Sequence, residues 1–473
     1  MKIALSQLNY HIGNFEDNTS KIIDSIRKAK KEDVDLIIFA ELAVCGYPPL
    51  DFLEFSDFIT KCKSSIDKIA AECTGIAAVV GSPSVNPVLK GKNLYNSAYF
   101  LEDGKIKNII HKTLLPTYDV FDEYRYFEPN RKFECIELKG TKIALTICED
   151  LWNEEDDPLY VFSPMEELIK FSPQFIINIA ASPFTYNHDE VRKAILRKNA
   201  LKYHLPIFYV NHVGGQTEML FDGGSMIMNE RGDVIEELKC FEEDFLIADF
   251  GLSIADSTKI RNQKSEIRNN KIKSIHDALV MGVKDYFRKM NFKQATLGLS
   301  GGIDSAVVLV LAAEALGKEN IIPVLLPSPF SSEHSVSDSI GLCENLGLKY
   351  HTIPIEKIYN EYISSTKPLF KNLPFNVAEE NIQARIRATL LMALSNKFGY
   401  ILLNTSNKSE LAVGYGTLYG DMCGGLSVIG DVYKTEVFDL AEFLNSEKEI
   451  IPRNIITKHP SAELRHGQKD SDS

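Results

Sequence analysis

The stretch Ser300-Gly-Gly-Ile-Asp-Ser305 constrains this chain more than any other. It follows a strand-like run, Gln294-Ala-Thr-Leu-Gly-Leu-Ser300, and leads into an apolar helical run from Ala306 to Leu316. A strand that turns through two glycines into a helix leaves unpaired N–H groups aimed at one spot, at the positive end of the helix dipole. Such a spot binds phosphate. Gly301 and Gly302 permit a sharp turn and a close approach of phosphate to the backbone. Ser300 and Ser305 add hydroxyl donors. Asp304 would repel phosphate unless a cation lay between them, which points to Mg²⁺.

No Gly-x-x-x-x-Gly-Lys-Ser/Thr occurs in the chain, so this is not a Walker loop. A lone Gly-Gly pair is an ordinary turn, but the whole hexapeptide between a strand and a helix resembles the pyrophosphate loop (PP-loop) of the ATP pyrophosphatase enzymes. Those enzymes cleave ATP between its α and β phosphates.

The 473 residues exceed what one core usually organises, so two or three domains are expected. In the front half short apolar runs alternate with helical ones. Lys2 to Leu8, Val34 to Phe39, Gly75 to Gly81, Leu94 to Leu101, Lys142 to Ile147, Phe175 to Ile179 and Ile207 to Asn211 read as strands. Asn18 to Lys31 and Glu190 to Tyr203 read as helices. This alternation predicts an α/β layered domain.

Three strand-like runs end in reactive residues: Val34–Ala40 in Glu41, a run through Ile109 and Ile110 in Lys112, and Lys142–Ile147 in Cys148. A thiolate is a nucleophile, and a carboxylate can take its proton. An ammonium can stabilise an oxyanion and help depress the thiol pKa. Singly, each has a bland reading as a buried small thiol or a solvated charge. The surrounding text lifts them as a set. Phe39-Ala-Glu-Leu-Ala-Val-Cys-Gly-Tyr-Pro-Pro, His111-Lys-Thr-Leu-Leu-Pro-Thr-Tyr and Ile147-Cys-Glu-Asp-Leu-Trp resemble, in order, the glutamate, lysine and cysteine motifs of the nitrilase (carbon-nitrogen hydrolase) superfamily. The resemblance implies an αββα sandwich over roughly residues 1–250, acting as a glutamine amidohydrolase. It makes Glu41 the base, Lys112 the oxyanion stabiliser and Cys148 the nucleophile. Phe121-Asp-Glu-Tyr-Arg-Tyr-Phe resembles the segment that supplies a supporting glutamate, here Glu123, and the same resemblance places Tyr118 and Ser182 on the glutamine.

Residues 251–273 are polar and aperiodic and read as a linker. A helix is expected over Ser274–Met290, with Ile275, Leu279, Val283 and Phe287 at helical spacing. After the glycine loop, strands are expected over Ile321–Leu326, Tyr350–Ile355 and Tyr400–Asn404, and helices over Glu333–Leu346, Glu379–Lys397 and Glu436–Leu444. Asn381 and Arg385, four apart, share a helix face. Gly414 to Gly425 is a glycine-rich loop whose bland reading is a surface loop. Lys434 at a helix start opposes the dipole, so it is either solvated or held by an anion.

Asn381-Ile-Gln-Ala-Arg-Ile-Arg, Asn404-Thr-Ser-Asn-Lys-Ser-Glu, Tyr419-Gly-Asp-Met and Tyr433-Lys-Thr are similar to the synthetase domain of NAD synthetases. With the nitrilase-like front, the whole chain resembles the glutamine-dependent NAD synthetase family. That resemblance implies a Rossmann-like parallel-sheet PP-loop domain over residues 274–473. It implies ATP on Ser300, Gly301, Gly302, Ile303, Asp304, Ser305 and Thr405, and Mg²⁺ on Asp304 and Glu410. Deamido-NAD is expected on Asn381, Arg385, Glu410, Asp421 and Lys434. Ser331 would belong to a mobile loop on the ATP side. An internal ammonia channel and a homo-oligomer are implied as well. The family usually continues beyond Pro460-Ser-Ala-Glu-Leu-Arg465 into a further helical piece and a basic tail; here the tail is shorter.

Residues 1–260 carry 28 Lys and Arg against 41 Asp and Glu, whereas 261–473 carry 24 of each. A net charge of −13 argues against a sequence-independent nucleic-acid partner, and the neutral rear half would better tolerate an anionic substrate. No run of eighteen apolar residues suggests a membrane span. The eight cysteines contain no Cys-x-x-Cys pair, which argues against zinc and fits a reduced, cytoplasmic protein. Two other readings stay open: a PP-loop amidotransferase that adenylates a different acid, and a non-catalytic scaffold. The Tyr419-Gly-Asp and Lys434-Thr435 matches oppose the first, and the presence of both Cys148 and Asp304 opposes the second.

Overall fold

A computed structural model describes residues 1–88, 90–153, 159–216, 218–250, 271–371, 373–459 and 461–465. The chain divides into two compact units, Met1–Ile267 and Arg268–Ser473.

The front unit holds two six-stranded sheets. One runs, edge to edge, Asp244–Asp249, Lys2–Gln7, Leu36–Ile38, Ala77–Val85, Leu94–Glu102 and Lys105–His111. The other runs Val234–Glu237, Met226–Met228, Ile207–Asn211, Phe175–Ala180, Thr141–Ile147 and Ile136–Leu138. The sheets face each other, and Ile3, Leu5, Ile37, Val79 and Phe100 of the first share one core with Leu145, Ile177, Phe208 and Ile227 of the second. The helices Phe15–Lys31 and Ser56–Glu72 cover the first sheet; Pro164–Leu168 and His188–Tyr203 cover the second. The result is the expected αββα sandwich.

Local chemistry explains the first helix. The Asn14 side chain accepts from the Asp17 amide, Glu16 and Asp17 lie in the first turn, and Lys28, Lys30 and Lys31 lie in the last. Ile22, Ile26 and Ala29 form its buried stripe. Each isoleucine contributes roughly 1.5–3 kcal/mol by leaving water.

The sequence pattern found the central parallel strands and missed most of the antiparallel ones. Lys105–His111 is largely exposed and carries two lysines, and Val234–Glu237 is nowhere fully buried. Both become strands by pairing with an apolar neighbour, Leu94–Glu102 and Met226–Met228 respectively. Only Ile109–Ile110 marks the first of them beforehand, and no apolar run of strand length marks the second.

The rear unit has a five-stranded sheet in the order His351–Thr352, Ile321–Leu325, Ala295–Gly298, Ile401–Asn404, Leu426–Ser427, parallel throughout. This is the expected Rossmann-like sheet. The central helix Ile303–Leu316 is buried from Ser305 to Ala312, and it packs against the helices Lys271–Lys289 and Lys434–Leu444. The strand expected over Tyr350–Ile355 shrinks to His351–Thr352, an exposed edge. Of the expected linker 251–273, residues 251–270 lie outside the described residues, and Lys271 already begins the helix expected from Ser274.

Strand order reverses between Ala295–Gly298 and its two neighbours, Ile321–Leu325 and Ile401–Asn404. Open parallel sheets bind ligands at the carboxyl ends of strands at such a switch point. Two segments leave the sheet there: the Ser300–Ser305 loop and Thr405 to Glu410.

Candidate active sites

In the front unit Glu41, Lys112, Glu123 and Cys148 converge. Glu41 lies just beyond the strand Leu36–Ile38. The strand Ala77–Val85 crosses that turn at Gly81, where a Cβ would lie 2.4 Å from the Ala40 carbonyl oxygen and from the Leu42 amide. Only glycine permits that approach. Lys112 follows Lys105–His111, and its amide donates to the Asn96 carbonyl at 2.8 Å. Its Nζ lies 2.7 Å from Glu41 Oε1 and 2.7 Å from Glu123 Oε1, with all three side chains at most 5% exposed. Asn96 Nδ2 donates to Glu41 Oε1 at 2.6 Å, the Ala181 amide donates to Oε2 at 2.9 Å, and Tyr47 OH donates to Glu123 Oε1 at 2.9 Å.

Cys148 ends Thr141–Ile147 and takes a left-handed φ of 43°. For a non-glycine residue that conformation is strained, and such strain gathers at functional sites. Asp150 holds the turn by accepting from the Thr113 and Leu114 amides at 2.9 Å and from the Ile147 amide at 3.1 Å. Asn178 Nδ2 donates to the Cys148 carbonyl at 3.3 Å.

Electrostatics divides the roles. Burial pushes the Cys148 thiol well above its ordinary range, Glu41 adds to that, and Lys112 opposes it. Burial likewise raises Glu41, to about 7, against the pull of Lys112. Burial alone would lower the Lys112 ammonium, but Glu123 and Glu41 outweigh it and keep it charged. A neutral thiol, a carboxylate near neutrality and a permanent ammonium suit proton abstraction followed by oxyanion stabilisation.

Tyr118 is 40% exposed, and its OH donates to the Glu149 carboxylate at 3.0 and 3.1 Å. Ser182 is buried, its amide donates to Asn211 Oδ1 at 2.8 Å, and its hydroxyl lies 2.8 Å from His188 Nε2. Asn96, Tyr47, Glu149 and Asp150 join the site without a role expected from the sequence. Glu149 and Asp150 stood beside the cysteine in its motif. Asn96, a buried polar residue within an apolar strand, was the other available signal.

In the rear unit Ser300 Oγ accepts from the Gly302 amide at 3.1 Å and lies 3.1 Å from Ser305 Oγ. The two glycines differ. Gly301 has φ +80°, and a Cβ there would lie 2.4 Å from the Ser335 carbonyl oxygen. Gly302 has φ −86°, and a Cβ would meet only Ser300 Oγ, at 3.2 Å. Only Gly301 therefore needs glycine for the turn itself.

Asp304 accepts from Asn407 Nδ2 at 3.0 Å and pairs with Lys434 Nζ at 2.5 Å. The anion that holds Lys434 at its helix start is thus the Asp304 carboxylate. Asn407 caps the helix Lys408–Val413, with Glu410 completing a capping box. Burial, then Asp304, raises Glu410 to about 7. Two mutually repelling carboxylates from different segments fit a divalent cation shared with phosphate oxygens, since Mg²⁺ commonly takes only one or two carboxylates. Among the described residues no three His, Cys, Asp or Glu converge as a metal cage.

Asn381 and Arg385 of the helix Val377–Phe398 do point together. Asn381 Oδ1 accepts from Thr417 Oγ1 at 2.8 Å, and Arg385 Nε donates to the Leu418 carbonyl at 3.2 Å. Asp421 accepts from the Thr417 amide inside the same loop. Thr405 follows the strand Ile401–Asn404. Ser331 Oγ accepts from the Ser328 amide at 3.0 Å.

A buried Cys–Glu–Lys site in an αββα sandwich, followed by a glycine loop at the switch point of a parallel sheet, defines an amide-hydrolysing unit joined to a nucleotide-binding one. Comparison with known proteins agrees: residues 2–260 match the carbon-nitrogen hydrolase family, and residues 275–473 match NAD synthase. The glutamine-dependent NAD(+) synthetase of Synechocystis sp. is 46% identical, over all of this chain and 85% of its own. That of Thermotoga maritima is 39% identical, over all of this chain and 86% of its own. The structure of the glutamine-dependent NAD+ synthetase from Acinetobacter baumannii in complex with ADP superposes with a TM-score of 0.89 at 38% identity, over 98% of this chain and 86% of that one. The chain belongs to the glutamine-dependent NAD(+) synthetase family.

Proposed function

We propose that this chain makes NAD from deamido-NAD, ATP and glutamine. Its glutamine amidohydrolase domain would span residues 1–250, and its synthetase domain would begin at the helix Lys271–Lys289. The observation that supports the reading most is the presence of two complete sets of reactive groups, Glu41–Lys112–Glu123–Cys148 and Ser300–Ser305 with Asp304, Glu410 and Lys434.

In the front domain Glu41 takes the Cys148 thiol proton, and the thiolate attacks the side-chain amide carbon of glutamine. Lys112 steadies the oxyanion, with Glu123 fixing its ammonium. Protonated Glu41 returns the proton to the departing nitrogen, so ammonia leaves and a thioester remains. Water, deprotonated by Glu41, then releases glutamate. Tyr118 and Ser182 are assigned to glutamine binding.

In the rear domain the nicotinate carboxylate of deamido-NAD attacks the α-phosphorus of ATP. Pyrophosphate departs along the Ser300–Ser305 loop, leaving an acyl adenylate. Ammonia attacks the activated carbonyl, and AMP leaves with its bonding electrons. Asp304 and Glu410 would hold Mg²⁺, which would neutralise charge on the departing pyrophosphate. Thr405 is assigned to ATP, and Asn381, Arg385, Asp421, Lys434 and Glu410 to deamido-NAD. A cytoplasmic location and a homo-oligomer belong to the same reading.

The test is to supply deamido-NAD, ATP and Mg²⁺ with either glutamine or ammonium and to follow NAD and AMP. NAD from both donors, with one AMP per NAD, is expected. No NAD from either donor would overturn the reading.

A further inference from the structure

The segment Ser461–Arg465 takes no part in the chemistry above, yet its Glu463 is held at three points. Glu463 Oε2 accepts from the Ser332 amide at 3.0 Å; Oε1 accepts from the Ser332 and Ser335 hydroxyls, each at 2.8 Å. Glu463 itself has a left-handed φ of 49°. A non-glycine residue stays there only when its surroundings over-determine it. Lys458 Nζ donates to Ser335 Oγ at 3.0 Å, and the Leu464 carbonyl accepts from the fully buried Gln383 at 2.8 Å. Within the segment, Leu464 is thus fastened as well as Glu463, and Lys458 ahead of it bonds the same Ser335 hydroxyl.

Ser332 caps the helix Glu333–Leu346, so the carboxylate grips that helix by its first turn. The same turn supports the pyrophosphate loop, because the Ser335 backbone lies where a Gly301 Cβ would be, 2.4 Å from the carbonyl oxygen and 2.8 Å from Cα. Gly301 has no side chain to give way, so a shift of Ser335 is passed directly to the loop backbone.

We propose that Glu463 is a positioning residue for the synthetase reaction: through Ser332 and Ser335 it fixes the first turn of Glu333–Leu346, and with it the Gly301 turn whose amides receive the ATP phosphates. The proposal rests on the reading of Ser300–Ser305 as the ATP loop. It assigns Glu463 no contact with substrate. Its effect falls on the triphosphate, whereas deamido-NAD is assigned to the helix Val377–Phe398 and the loop 414–425.

The test compares Glu463→Ala, Glu463→Gln and Ser335→Ala in ammonium-driven NAD formation. ATP affinity is measured separately by calorimetry, and glutamate release reports on the front domain. Misplacing phosphate donors by a fraction of an ångström is expected to raise KM for ATP roughly 10- to 100-fold in Glu463→Ala. KM for deamido-NAD and glutaminase activity should stay at wild-type values. Glu463→Gln keeps an acceptor for the two hydroxyls and loses one for the Ser332 amide, so it should fall between wild type and Glu463→Ala. Ser335→Ala should resemble Glu463→Gln. Partial unfolding would instead lower kcat and leave both KM values unchanged, and that result overturns the proposal. Unchanged ATP affinity in Glu463→Ala overturns it too. If the wild type binds ATP but forms no NAD, the function above falls, while the positioning claim is still decided by ATP affinity across the variants.

Discussion

At the scale of single residues the front site poses a charge problem. Two buried carboxylates share one ammonium, with Lys112 2.7 Å from both Glu41 and Glu123. When both are ionised the cluster carries a net negative charge in a medium that solvates it poorly. Glu41 rises to about 7 in consequence, chiefly through burial. Glu41 acts as base only when deprotonated, so glutaminase kcat/KM should rise with pH through about 7 and fall away in acid. A flat profile from pH 5.5 to 8 would remove Glu41 from that role. Glu41→Gln should cost glutaminase roughly 10²- to 10⁴-fold and spare ammonium-driven synthesis. Glu41, Lys112 and Cys148 were legible because each follows a strand inside a motif of its own. Asn96 was not, because its partner Glu41 stands 55 residues earlier and only the fold brings them to 2.6 Å.

At the scale of elements, the strand–turn–helix around Gly301 was legible in outline, and the unequal demand on its two glycines was not. Gly301→Ala forces a strained φ and places Cβ against the Ser335 carbonyl. It should destabilise the rear unit by about 1–3 kcal/mol in chemical unfolding and abolish synthesis with either donor. Gly302→Ala should unfold like wild type, because its φ is ordinary; its methyl would stand where phosphate approaches and raise KM for ATP. Equal destabilisation by both substitutions would contradict this distinction. A second element carries a pH dependence. His276, on the helix Lys271–Lys289, lies 2.9 Å from both Asp277 and Glu314. Burial opposes its charge, and the two carboxylates prevail, raising it to about 9. The folded state therefore holds the proton more tightly than the unfolded one. The stabilisation is complete below about pH 6.5 and is lost as pH rises through about 9. Because Glu314 is half exposed, the loss should be on the order of 2 kcal/mol. Unfolding of the rear unit followed against pH should show it, and His276→Gln should flatten the curve. The parallel strands were legible because burial on both faces demands continuous apolar runs. Most edge strands were not, because their partners rather than their composition make them strands.

At the scale of the whole molecule the sequence already separated two units by charge, −13 over residues 1–260 and zero over 261–473. Neither motif set taken alone requires the other. Their union on one chain means that ammonia released from glutamine has an acceptor, and that glutamine is wasted whenever the acceptor is absent. Glutamate release should therefore rise when deamido-NAD and ATP are added, by roughly 5- to 150-fold for a coupling of ~1–3 kcal/mol. Unchanged release would make the two activities independent. The division of labour itself is tested most directly by Cys148→Ala, assayed for NAD formation with glutamine and, separately, with ammonium. Glutamine-driven synthesis should vanish and ammonium-driven synthesis should persist at the wild-type rate, because the thiolate acts only in releasing ammonia. Equal loss with both donors, or continued synthesis from glutamine, would contradict the account.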